Sequence, residues 1–541
     1  MHVGSMRRAV ILLLVLSLFH GNVTTALECT SAVSVSDNVG ITVSLWNHHE
    51  NDAFKYRINL APFARLNITV IDVPSDIWFI ILQIHTFQYN ATLSYDKALL
   101  DKVSNRSLFG SNIGLYLKTY DVTAPIQVFL KHNNVHNLDA LLVIVTYGRN
   151  APIPGGCNME FDIEVSPHQK LHMENGMIVV ESQPALAPNV SSAVCEKILV
   201  QYKMYRLYLP RQDFTPDTYF NAIASMLTVQ DIVQNSDEIP ASSFMSSMRR
   251  IYSAYTGTGS VYAVVATYEN YSSAYIPIFT YACSPLLYPE SCQVLNPFSM
   301  VICALVLMLG CLSIIISHKA YVDSSISNCM IYGVFGYTLG AFLGVNDSFA
   351  ILIGLIFTGI ISLIFHVFEI YISLWNTLLG FLCVCIVYLY APAKMFYILE
   401  HNWLFWPMFI SLMFMITTLL RISYVGEIVA RAIFGSYFVI IAIDYFIGSN
   451  LKYIILTIIR RITVPEFHLA FVYPPFQSAD ITLIIIWIVL ILARFIIQKW
   501  VSSYCNNEGV LFRTVNFGGH NTENLRLLSE SDFYYDSYTL P

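Results

Sequence analysis

The chain has 541 residues, of which 55% are hydrophobic and 12% charged, with a net charge of −7 and a mean hydropathy of +0.57. Soluble domains carry about 25% charged residues, so this balance excludes an ordinary water-soluble protein and points to a membrane chain. The acidic surplus leaves no basic footprint for nucleic acid.

At the N-terminus, Arg7 and Arg8 precede an apolar run, and Thr24, Thr25 and Ala26 follow it. This layout predicts a signal peptide over 1–26, too short for a stable span. Asn67, Asn90, Asn105, Asn189 and Asn270 each open an N-x-[ST] sequon, as expected of a glycosylated, lumenal or extracellular segment. Five of the eleven cysteines precede residue 297, and an oxidising compartment makes disulfides their default state. Cys283 and Cys292 bracket a short loop and are the first expected pair. Cys157 with Cys195 is the next, with Cys29 left over and other pairings still open.

Residues 27–166 alternate with period 2 and read as a β-sandwich. Runs at 66–73, 77–84, 126–130 and 140–147 are its clearest strands. Met159, Phe161, Ile163 and Val165 alternate with Glu160, Asp162 and Glu164. These acids read as a solvated strand face, because carboxylates on one strand do not wrap a calcium ion. Residues 167–296 read as a second, α+β domain. Its strands are expected at 198–209, 248–255, 261–268 and 274–281. A helix opens at Thr215-Pro216, with Thr215 as N-cap and Phe220, Ile223, Met226 and Leu227 as its apolar stripe.

From 297 to 500 the pattern is that of a seven-helix transmembrane bundle. Spans are expected at 297–317, 328–345, 348–367, 371–392, 402–420, 426–448 and 480–499, each near the length needed to cross a bilayer. After a cleaved signal, seven spans put residues 501–541 in the cytosol as a disordered tail. Gly336, Gly340 and Gly344 recur every four residues and form a helix-packing seam. The stretch 451–462 is amphipathic and basic, and suits the membrane interface. Asp444, late in the sixth span, is the intramembrane functional candidate. It could relay protons or bind a cation, against the plainer reading of a helix-end acid.

No catalytic, cofactor or metal motif emerges. The third span lacks the acid-Arg-aromatic triplet of G-protein-coupled receptors, and no pair of intramembrane histidines suits a zinc hydrolase. No repeat pair of broken helices marks a carrier. The chain therefore reads as non-enzymatic. A transporter or channel using Asp444, and an orphan receptor, remain as alternatives.

Several motifs carry a resemblance. They are Pro154-Gly155-Gly156-Cys157-Asn158-Met159-Glu160-Phe161-Asp162, Ala274-Tyr275-Ile276-Pro277 and Thr280-Tyr281-Ala282-Cys283. In the helical half, Gly435-Ser436-Tyr437, Ala442-Ile443-Asp444, Phe467-His468 and Pro475-Phe476-Gln477 follow in the same order. Over about 70–500 the chain resembles the transmembrane 7 superfamily member 3 family. The resemblance implies a seven-span protein of the plasma membrane or endomembranes, with its N-terminal domains outside. It also implies a link to cell survival and to restraint of endoplasmic-reticulum stress and the unfolded-protein response. It brings no ligand or cofactor, but strengthens the case for Asp444 and for structural roles of Cys157 and Cys283. Expected partners are membrane lipid and a protein bound through the ectodomain. Glu523, Leu527 and Leu528 fit the acidic dileucine pattern recognised by clathrin adaptors.

Overall fold

The structure is a computed structural model. It describes residues 33–35, 40–102, 106–120, 124–157, 168–188, 200–286, 288, 292, 297–315, 333, 336, 339–340, 343, 345, 347–367, 375–423 and 425–516. The signal segment, Cys29, Asn105, the acidic strand at 159–165, Asn189, Cys195, Gly344 and the tail motif at Glu523, Leu527 and Leu528 lie outside them.

The first domain is a sandwich of two five-stranded sheets. Its strands are β1 (Val33–Val35), β2 (Gly40–Ser44), β3 (Ala53–Leu60), β4 (Arg65–Ile71), β5 (Phe79–Thr86), β6 (Ala91–Ser94), β7 (Ser107–Gly110), β8 (Asn112–Lys118), β9 (Ile126–Lys131) and β10 (Leu138–Tyr147). One sheet runs β1-β3-β10-β5-β8 and the other β2-β4-β9-β6-β7. β4 shows the simple case. Leu66, Ile68 and Val70 point inward, while Asn67 and Thr69 lie on the half-open outer face. β5 is buried along its whole length, because both of its faces are covered.

The second domain contains β11 (Gln169–Glu174), β12 (Met177–Ser182), β13 (Gln201–Arg211), α1 (Pro216–Ala224), α2 (Val229–Asn235), β14 (Asp237–Ile239), β15 (Arg249–Ser253), β16 (Thr258–Tyr268), β17 (Tyr271–Ala274) and β18 (Ile278–Thr280). It too is a two-sheet sandwich rather than a general α+β mixture, with two short helices appended. The chain enters this domain before 166, where the sequence reading set the boundary: Ile153 already bridges Leu186. Thr215 precedes α1, but its side chain makes no cap bond. Asp213 orders this turn, accepting from the Thr215 N–H at 3.0 Å and from the Thr215 and Thr218 hydroxyls at 2.7 Å.

The helical part follows: α3 (Pro297–Ile315), α4 (Asp347–Val367), α5 (Trp375–Leu389), α6 (Phe396–Glu400), α7 (Asn402–Ile422), α8 (Gly426–Ile447), α9 (Tyr453–Thr463), the two-residue strand β19 (Ala470–Phe471) and α10 (Ser478–Asn516). Among the described residues three helical segments are long and apolar enough to cross a membrane: Asn402–Ile422, Gly426–Ile447 and Ser478–Ile497. α5 and the segment Ala393–Glu400 make a fourth if the pair, bent by 102°, is one span. Pro392 breaks that helix, since proline cannot donate to the ladder. α10 continues to Asn516. The first part of the expected disordered tail is therefore helical, because extending an existing helix avoids the cost of nucleation.

The layers stack in one series. In β5 and β10, Leu82, Ile84, Leu142 and Ile144 fill the first sandwich. Their neighbours Phe79, Ile81, Leu141, Val143 and Val145 pack on Tyr219, Phe220, Val261 and Ala263 of the second domain. In β16, Tyr262, Val264 and Ala266 then face the second sandwich core. In β12 and β15, Ile178, Val180 and Tyr252 complete that core, while Met177, Val179 and Ile251 join the core of the bundle. Each central strand separates two apolar layers, which is why these runs are mostly hydrophobic on both faces.

Candidate functional site at the junction of sandwich and bundle

The helical part reaches into the second sandwich at two places. β19 adds to β15 as a parallel edge strand, pairing Ile251 with Ala470 and Tyr252 with Phe471. Phe471 and, from α6, Phe396 are buried in the sandwich core. An otherwise open sheet edge is thus closed by the connection between α8 and α10.

Charged side chains lock the same contact. Arg206, fully buried, donates to the Tyr473 carbonyl at 3.2 Å. Its guanidinium lies 4.1 Å from the Tyr208 ring centroid and 5.1 Å from that of Phe471, a desolvated cation–π arrangement. Tyr255 donates its hydroxyl to the Val472 carbonyl, and burial pushes that phenol well above its ordinary value. The Arg211 N–H donates to Gln477 Oε1 at 3.0 Å, and Gln477 Nε2 returns a bond to the Leu209 carbonyl at 3.1 Å. Arg211 Nη1 also donates to the Ser449 carbonyl at 2.6 Å. Arg460 donates to the Ala254 carbonyl at 3.0 Å. On the α6 side, the buried Glu400 accepts from the Ser242 hydroxyl at 2.8 Å and the Ser243 N–H at 3.0 Å.

Beneath these contacts lies a buried polar core. Asp480, three residues into α10 from its N-cap Gln477, accepts the Gln477 N–H at 2.9 Å, the return half of a capping box. It also takes the Asn450 backbone N–H at 2.7 Å and its side-chain amide at 3.2 Å. Asp444 stands near the end of α8, which stops at Gly448 in the left-handed region with φ 86°. Asp444 Oδ2 accepts the Lys452 backbone N–H at 2.5 Å, at the start of α9, and Lys452 Nζ lies 3.9 Å from Oδ1. The acid therefore clasps a helix corner, binding the exposed N–H end of α9 where negative charge is favoured. Burial pushes the Lys452 ammonium down to about 7, against the opposing pull of Asp444.

The stretch around 451–462 does form an amphipathic helix, α9. Tyr453, Ile454 and Ile458 bury in the bundle core rather than in lipid. Arg461 turns inward too, donating to the Leu399 carbonyl and to Asn402 Oδ1, each at 2.7 Å. The glycine seam packs within the chain. A methyl on Gly336 would come within 2.7 Å of Gly354 Cα, and one on Gly340 within 2.9 Å of Ala350 Cα. Asn90 and Asn270 stand on exposed turns, and Asn67 on the half-open outer face of its sheet. Cys283 and Cys292 are joined in a disulfide. Cys157 is disulfide-bonded as well.

Three family descriptions fit consecutive stretches of the chain. Residues 47–147 match the TM7SF3-like N-terminal immunoglobulin-like domain, and 152–286 match the second immunoglobulin-like domain of that family. Residues 296–499 match the TM7S3/TM198-like domain. The chain belongs to the transmembrane 7 superfamily member 3 family. Transmembrane 7 superfamily member 3 of Homo sapiens is 26% identical over 454 residues, covering 79% of this chain and 78% of that protein. The Rattus norvegicus protein is 25% identical over 452 residues, and the Mus musculus protein 24% over 454, each covering 79% of both chains.

Seen within this family, the junction joins its second immunoglobulin-like domain to its helical domain. Arg206, Arg211, Glu400 and Asp480 were not singled out by sequence reasoning. Arg206 had a readable signal. It shares a strand face with Met204, and its neighbours Tyr205, Leu207 and Leu209 are also apolar. Arg206 is flanked by apolar residues on both faces of the strand, so a paired, buried arginine was implied. Glu400 and Asp480 offered less, since each is a single acid at a helix end.

Proposed function

We propose that this chain is a seven-span membrane glycoprotein that acts without catalysis as a pro-survival homeostasis factor. In this reading the immunoglobulin-like domains are lumenal or extracellular and the tail is cytosolic. The protein attenuates endoplasmic-reticulum stress and the unfolded-protein response by binding a partner or lipid. The family supports the role. The observation that carries the mechanism is the closure of the β15 edge by β19: a change at the outer domains is transmitted to the helices as one body, not through a slack linker. The tail motif at Glu523, Leu527 and Leu528 would set traffic through a clathrin adaptor.

The test is rescue of depleted cells challenged with a glycosylation inhibitor, read by an unfolded-protein-response reporter. Wild-type chain should lower the reporter. Arg206→Ala with Glu400→Ala, expressed at equal level, should not. If wild type has no effect, the homeostasis role is wrong; if the double variant rescues fully, the single-body mechanism is wrong.

A second reading, transport through Asp444, is favoured by the buried acid–lysine pair at 3.9 Å. Proton or cation flux in liposomes that vanishes with Asp444→Asn would establish it. Equal flux from both chains would remove it.

A further inference from the structure

The loop between β14 and β15 reads Ala241-Ser-Ser-Phe-Met-Ser-Ser-Met248, one aromatic residue set among serines. Phe244 at its tip is 58% exposed. The loop is nevertheless held in place. Ser242 Oγ donates to Glu400 and accepts the Phe244 N–H at 3.1 Å, so the ring is presented on a fixed turn.

Its place decides what it meets. The Phe244 ring lies 4.7 Å from that of His401, and Tyr397 lies 4.6 Å from the same imidazole. Residue 401 directly precedes α7, one of the helices long and apolar enough to span a membrane. Trp403, in the first turn of α7, is exposed, as are Ile410 and Phe414. Those three residues are spaced seven and four apart and share one helix face. That face is turned away from the bundle. Through His401, whose ring lies 6.3 Å from that of Trp403, Phe244 and Tyr397 join this face at the helix end; aromatic side chains gather at membrane–water boundaries.

We propose that the second immunoglobulin-like domain touches the bilayer directly, with Phe244 seated in the phospholipid headgroup layer beside Tyr397 and Trp403. The occupant is the lipid surface, because the exposed apolar stripe of α7 reaches the patch through the His401–Trp403 ring contact. The small serines around Phe244 let the tip enter without burying a charge. This inference requires that α7 crosses a membrane and is independent of any role in stress signalling.

Phe109 of the first domain provides an internal control, since its exposure of 59% matches that of Phe244. The full chain in phosphatidylcholine–phosphatidylserine nanodiscs would be footprinted with hydroxyl radicals. Phe244 should be oxidised several-fold more slowly than Phe109. Equal rates would overturn the proposal. A second measurement identifies what shields the ring. With p-benzoylphenylalanine at 244 in the same full chain, photolysis should give phospholipid adducts. The same probe at Val233, exposed on α2, should not. Adducts to a second copy of the chain, or equal lipid labelling at both positions, would also overturn it.

Discussion

The two joints of this molecule place their charged groups differently. Between the immunoglobulin-like domains, Phe79, Ile81, Val143 and Val145 meet Tyr219, Phe220 and Ile276 in an apolar layer. Two buried polar contacts interrupt it: His85 contacts Asn112 Oδ1 at 2.8 Å and Tyr219 donates to the same oxygen at 2.8 Å, and the Tyr147 hydroxyl donates to the Ala274 carbonyl at 3.3 Å. The ion pairs Arg57–Asp217 and Lys55–Asp231 also cross it, partly exposed. Between the second domain and the bundle, Arg206, Arg211 and Arg460 donate to carbonyls and Glu400 accepts a backbone N–H, all from partners 157 or more residues away. Apolar contact depends on volume and tolerates repacking. A buried charge tolerates only a partner in the right direction. The first joint fixes that the domains adhere, and the second fixes how they are oriented.

The largest expected effects test whether both joints are structural. Phe220→Ala should cost about 3–5 kcal/mol in thermal or denaturant unfolding, as for other buried aromatic truncations. Arg206→Ala should cost about 3 kcal/mol, from the lost packing and the lost hydrogen bond to the Tyr473 carbonyl. The conservative changes separate the two. Phe220→Leu should keep most of the stability, costing about 1.5 kcal/mol. Arg206→Lys should remain nearly as damaging as alanine, because an ammonium cannot stack flat between Tyr208 and Phe471. Similar costs for both conservative variants would erase the distinction.

Glu400→Ala should cost about 1–3 kcal/mol by stranding the Ser243 N–H and the Ser242 hydroxyl. Protease cutting within 241–248 should rise while the first domain stays intact. The polar joint should also respond to pH. Lys452 titrates near 7 in the folded chain and near 10.5 when exposed. Between those values the unfolded chain holds a proton that the folded chain has released, so stability should rise with pH across that window. Below about 7 the burial cost is felt in full. A thermal-unfolding series should show the rise, and Lys452→Met should flatten it. His85, held down to about 4 by burial, stays neutral over this range, so it should not contribute. The smallest effect is expected at the outer turns. Asn90→Gln and Asn270→Gln should each remove one glycan from the gel mobility while changing stability by less than about 0.5 kcal/mol.

Much of the architecture was legible in the residues. The alternation at 66–73 placed β4 within two residues, and the runs at 126–130 and 140–147 placed β9 and β10. The apolar stretches at 402–420 and 426–448 became α7 and α8 with little change. The misreadings share a cause. β19 is two residues long, too short to carry a period, and its partner strand lies more than 200 residues earlier. α6 follows a proline that ended the expected span correctly, yet nothing local says that Phe396 turns back into a sandwich core. The α9 helix was periodic enough to find, but its apolar face fits protein as well as lipid.

The sequence by itself determined where strands, helices and turns fall and which half of the chain is apolar enough for a membrane. Those properties repeat every two or 3.6 residues and need no distant partner. Only the tertiary structure decided which faces meet. It placed Met177 and Ile251 in the bundle and Phe471 in the sandwich, and it made Asp444 a clasp for the start of α9. An apolar surface is non-directional and matches many others equally well. The choice among them is made by buried charges that must find their own hydrogen-bond partners, and those partners lie far along the chain.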